Sequence, residues 1–163
     1  MWQHRKGRTI AESSMEETFR TLRGFVAGSE PDEKTYFAYS ATLRIFGDIP
    51  NLEEITTRLG LQPTNTHRKG DKPGSKSPGY RHDMWAYTPS LDKSELLEKH
   101  IDVLWEKLKP HKHYLLGLKE SLTVDVFLGY RSNCDHAGIE VPHTSLEMFT
   151  ELEIPFGVSI IIT

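Results

Sequence analysis

TYFAYSATLRIF, residues 35–46, decides how the rest of the chain is read. The stretch is rich in aromatic and β-branched residues, and its side chains alternate in character with a period of two, as a strand requires. Phe37, Tyr39, Ala41, Leu43 and Ile45 fall on one face, which the pattern assigns to the core. Tyr36, Ala38, Ser40, Thr42 and Arg44 fall on the other. Gly47, Asp48 and Pro50 then turn the chain.

After that turn Asn51 is placed to cap a helix, with Glu54 at the reciprocal position of a capping box. Leu52, Ile55 and Leu59 point inward, and Gly60 ends the helix. A short strand near Pro63–Arg68 and a second near Asp83–Thr88 pair as a hairpin with a long loop. The longest helix begins at Asp92, with Glu95 as its box partner. It carries Leu97, Ile101, Leu104 and Leu108 in a helical stripe, Trp105 lies beside it, and Pro110 stops it. A loop with His111 and His113 leads to another strand, Leu122–Tyr130. There Leu122, Val124, Val126 and Leu128 form the apolar face. A turn over Asn133–Val141 includes a short strand at Gly138–Val141. Thr144 and Glu147 box a helix carrying Leu146, Phe149 and Leu152. The β-branched run Phe156–Ile162 reads as a central, buried strand.

The elements run β-α-β-β-α-β, followed by a further helix and strand. This predicts an α+β fold of the ferredoxin-like split type: an antiparallel sheet with helices packed on one face. The main domain spans residues 35–163. Residues 1–34 form an N-terminal helical extension, in which Ser13 and Glu16 make a capping box and Met15, Phe19, Leu22 and Val26 repeat at helical spacing. That stripe packs onto the domain, belongs to a mobile arm or, in a third functional reading, packs across the two-fold axis of a homo-oligomer through residues 13–26.

Within this chain one segment departs from its surroundings. HRKGDKPGSKSPGYRH, residues 67–82, sets Arg68, Lys69, Lys72, Lys76 and Arg81 against a single acid, Asp71. Its charge is +4 in a chain of net −3, so the remainder carries −7. The mild overall charge argues against generic nucleic-acid binding. The lone Cys134 permits no intrachain disulfide and fits a reducing compartment. No apolar run approaches the roughly 20 residues of a membrane span. The N-terminus has no apolar core of a secretory signal. The expected setting is the cytoplasm.

The chain from residue 36 to 163 resembles the bacterial family known as domain of unknown function 4279. The resemblance rests on a first strand ending in Gly47-Asp48, then Leu59-Gly60-Leu61-Gln62-Pro63-Thr64, then Arg68-Lys69-Gly70-Asp71. A lone Trp85 on the next strand, the leucine-rich helix, and a short closing helix with a terminal strand complete the pattern. It implies one α+β domain and carries no established activity.

The two ends of the basic loop lie side by side in a hairpin. Arg68, Lys69, Asp71, Tyr80, Arg81, His82 and Trp85, with Arg131 as a further cation, are therefore the candidate ligand-binding residues. Cations, backbone amides near Gly70 and an aromatic face suit a phosphate or carboxylate. The plainer reading makes Trp85 a core residue and Asp71 the cap of a turn. The segment has no phosphate-loop or dinucleotide-binding signature. His111, His113, Asp135, His136 and His143 lack the spacing of a metal motif, so neither metal nor cofactor is expected. Cys134 with His136 or His143 lacks a recognisable orienting group for nucleophilic catalysis. The scattered carboxylates Glu53, Glu54, Glu98 and Glu106 read as solvated helix faces.

The first functional expectation is a non-enzymatic binding module that captures an anionic small molecule or an acidic protein partner, in the manner of an immunity or antagonist protein. The second is an enzyme on a phosphorylated or carboxylated small molecule, with His82 as acid/base and Arg68, Arg81 and Arg131 as clamps. No catalytic residue is assigned in the first reading.

Overall fold

The apolar alternation of residues 37–47 becomes the centre of a five-stranded sheet. The computed structural model describes residues 35–134 and 138–163. The expected helix over Ser13–Val26, together with Asp135 and His136, lies outside the described residues. Strand β1 (Phe37–Gly47) runs between β3 (Asp83–Tyr87) and β4 (Thr123–Ser132), antiparallel to both. The short β2 (Asn65–His67) pairs antiparallel with the outer side of β3. β5 (Val158–Ile162) pairs parallel with β4, which gives the order β2-β3-β1-β4-β5. The fold is thus mixed α+β with a mostly antiparallel sheet.

The predicted core face of β1 is buried: Tyr39, Ala41, Leu43 and Ile45 are nearly or fully inaccessible, and Phe37 packs against them at the rim. Helix α1 (Leu52–Leu59) adds Ile55 and Leu59. Asn51 caps it by accepting the Glu53 N–H at 3.0 Å, and Gly60 ends it in the left-handed conformation at φ 62°. Helix α2 (Leu97–Leu108) lays Leu97, Ile101, Leu104 and Leu108 onto the sheet at the predicted spacing.

Five details differ from the sequence reading. Asp92 does not begin α2. It closes a preceding turn by accepting the Ser94 N–H at 2.9 Å, and the helix starts at Leu97. Pro110 does not stop the helical run. It sits early in a 3-10 turn (Lys109–His111), where a missing N–H costs little, and the chain continues as α3 (Lys112–Leu118). The expected histidine loop is therefore helical, and Leu115 of α3 is fully buried. Thr144 makes no capping bond: a 3-10 turn (His143–Leu146) leads into α4 (Glu147–Glu151). Gly138–Val141 is not a strand, and Ile139 and Val141 pack onto the core from an irregular segment.

The largest difference is β5. It is an edge strand, with Ile160, Ile161 and Ile162 respectively 58%, 45% and 47% exposed. A β-branched run specifies an extended backbone but not its place in the sheet. A parallel partner of β4 requires a long crossover, and residues 133–157 with α4 supply it.

Candidate functional site

The basic loop is built on the β2–β3 hairpin, where His67 stands opposite Met84. Asp83, the first residue of β3, gathers its base. Oδ1 accepts the Lys69 backbone N–H at 2.8 Å, and Oδ2 accepts the Ile49 backbone N–H at 2.9 Å. The Arg68 guanidinium donates to the Ile49 carbonyl at 2.6 Å and approaches Asp83 Oδ2 at 3.3 Å. The Lys69 N–H chiefly, with the Ile49 N–H and the Arg68 charge, holds the Asp83 carboxyl below the usual carboxylate range. One acid thus joins the β1–α1 turn, the loop and β3.

Above this anchor the chain pairs with itself. The Gly70 N–H donates to the Tyr80 carbonyl at 2.9 Å, and the Tyr80 N–H donates to the Asp71 carbonyl at 2.8 Å. Gly70 has φ 90°, and a Cβ on Gly79 would stand 2.7 Å from the Gly70 carbonyl oxygen. Two glycines are needed here, one for the turn and one for the close backbone approach. Asp71 caps the turn by accepting the Arg68 backbone N–H at 2.8 Å. The Tyr80 ring stacks on His67, with centroids 3.6 Å apart.

The proposed residues therefore separate into groups. Arg68 and Asp71 hold the loop's base, and Tyr80 is engaged with His67. Trp85 is fully buried and donates its Nε1–H to Thr56 Oγ1 at 3.0 Å, so it offers a ligand no aromatic face. Lys69 makes one long contact, 3.4 Å, to Asp48 between exposed side chains, an arrangement of little energetic weight. Arg81 and His82 are exposed at the end of the loop, as are Lys72 and Lys76 along it. Lys72, Lys76 and Arg81 carry no ion pair among the described residues. Arg131 is elsewhere. It stands opposite Ala38, nine residues along β1 from Gly47, which faces Asp83, so about 30 Å of strand separates it from the anchor.

Sequence reasoning did not find Asp83, the residue that organises the loop. Its only signal was an acid at the first position of a strand beside a basic run, which does not distinguish a tether from a solvated charge. Among the described residues no three His, Cys, Asp or Glu side chains gather as a metal site. Cys134 is buried, with its N–H donated to Ser132 Oγ at 3.0 Å. No helix among the described residues is long and apolar enough to cross a membrane.

Fold and loop together define a mixed α+β domain with a tethered, cationic hairpin loop at one end of its sheet. Residues 35–163 match the model of the family described as domain of unknown function (DUF4279), and the chain belongs to that family. No curated protein and no solved structure matches the chain.

Proposed function

We propose that the domain is a non-enzymatic binding module whose 67–82 loop docks an acidic protein partner. The observation that supports this reading is the division of labour within the loop. Its base is fixed by Asp83, Asp71 and the Gly70–Tyr80 pairing, while Lys72, Lys76 and Arg81 are exposed along it. A fixed base lowers the ordering cost of binding, and exposed cations steer an acidic surface into register. The rest of the chain carries a charge of −7, so the loop also directs partner orientation by repelling approach elsewhere.

A protein surface suits this arrangement better than a small molecule does. The cations are spread along a projecting loop, and the aromatic face expected from Trp85 is inside the core. The enzyme reading needs Arg68, Arg81 and Arg131 around one substrate, and Arg131 stands far along the sheet from the other two. Sequestration of a target, as an immunity or antagonist protein performs it, is the role this size and surface fit, by analogy of architecture. Zero-length carbodiimide coupling in extract from the source cells tests the docking surface. Links from partner carboxylates are expected on Lys72 and Lys76. Links confined to lysines outside residues 67–82 reject it.

A further inference from the structure

The face of the sheet opposite the core carries a groove unconnected to the basic loop. Three rows of side chains cross this face. Ser40, Gly129 and Ser159 stand opposite one another on β1, β4 and β5 and make one row of small residues. The row on one side carries Phe127, and the row on the other carries Arg131. Residues 127 and 131 are four apart on one strand, roughly 13 Å, so the small row is the floor of a trough between two ridges. A Cβ on Gly129 would lie 2.6 Å from Ser40 Oγ, so this floor position accepts glycine alone without displacing Ser40. Lys93 closes the trough at the β1 side, where its carbonyl accepts the Tyr39 N–H at 2.7 Å. The groove has a volume of about 230 Å³.

Its electrostatics are one-sided. Asp125, the acid nearest along β4, is already held by a two-point contact: Arg44 Nε to Oδ1 at 2.8 Å and Nη2 to Oδ2 at 2.6 Å. Arg44 also lies 4.9 Å from the Phe127 ring centroid, which fixes that ridge. Lys93 and Arg131 carry no ion pair among the described residues. Two basic residues, two serines and an aromatic residue thus line one trough whose neighbouring acid is already paired.

We infer that this groove binds a small organic anion, a carboxylate or phosphate monoester on a ring-sized apolar body. Arg131 forks onto the anion, Lys93 contributes charge, Ser40 and Ser159 donate hydroxyl hydrogens, and the apolar body lies against Phe127. The inference is independent of the loop, so either can fail alone.

The test is a titration of the isotopically labelled full chain with benzoate, phenyl phosphate and neutral benzamide, followed at backbone amides. Saturable shifts at Ser40, Gly129 and Ser159 are expected with benzoate or phenyl phosphate. The stronger of the two identifies the anionic group, and benzamide should leave these amides unmoved. Arg131→Gln, at an exposed position that the core does not use, should weaken the interaction about tenfold or more. Lys72→Gln should leave it unchanged. Failure of both anions to saturate these amides at millimolar concentration overturns the inference. So does equal response to benzamide, or an undiminished response in Arg131→Gln.

Discussion

Asp83 Oδ1 accepts the backbone N–H of Lys69 at 2.8 Å, so the first residue of β3 holds the start of the cationic loop by its main chain. Its second oxygen takes the Ile49 N–H at 2.9 Å, and the loop is thereby tied to the β1–α1 turn. A carboxylate supplies two acceptors for two amide donors and also faces the Arg68 guanidinium. Asp83→Asn removes the charge and one acceptor. The expected result is a lower unfolding midpoint and faster hydrogen exchange at the Lys69 and Ile49 amides, with the α2 amides unaffected. Unchanged exchange at both amides would show that Asp83 does not hold the loop.

The same contact has a pH signature. Asp83 is more acidic when folded, because its hydrogen bonds favour the charged form. The folded state then binds fewer protons than the unfolded state below the ordinary carboxylate range. Its contribution is full above about pH 4 and is lost as pH falls through the lower folded value. Acid titration of stability should show a shallower decline in Asp83→Asn than in the parent over that window.

His100 behaves with the opposite charge but in the same direction. It is 2% exposed on α2, and neither ring nitrogen has a hydrogen-bond partner. Burial is the main influence and lowers its pKa, and the nearby Asp92 and Glu95 oppose it more weakly. The unfolded chain takes up this proton first as pH falls. Stability is therefore full above about pH 6.5 and declines below it, by at most about 1.4 kcal/mol per pH unit for one proton. Denaturant midpoints measured from pH 7.5 to 5 should fall, and His100→Leu should flatten that slope.

Thr56→Val removes the acceptor of the buried Trp85 Nε1–H, together with the longer 3.3 Å bond that Thr56 Oγ1 donates to the Leu52 carbonyl within α1. Valine keeps the shape of a side chain that is 6% exposed, and it leaves the Trp85 Nε1–H buried without an acceptor. A loss of about 1–3 kcal/mol is expected in chemical denaturation. Partner binding at the loop should be unchanged, because Trp85 serves the core.

Much of this fold was legible because burial and period coincide. The alternation on β1 and the leucine spacing on α2 each specify a buried face directly. The misread parts are those where one local signal permits two tertiary outcomes. Pro110 reads as a stop, but a proline early in a 3-10 turn lets the chain continue into α3. The isoleucines of β5 read as interior, yet the crossover from β4 delivers them to an edge. At the loop, charge and glycine placement were visible in sequence. The tethers from Asp83 to residues 49 and 69 were not, because they depend on three segments meeting. Charge alone associates Arg131 with the loop, and the ladder register separates them.

Whether the loop's exposed cations dock a partner is tested by comparing two proteins. The full chain and its Lys72→Gln, Lys76→Gln, Arg81→Gln variant would be immobilised and exposed to extract from the source cells at low and high salt. These side chains are exposed, so the variant should match the parent in stability within about 0.5 kcal/mol. An acidic protein should be retained by the parent at low salt, released at high salt, and lost by the variant. A partner held equally by both proteins, or no partner on the parent, would contradict it.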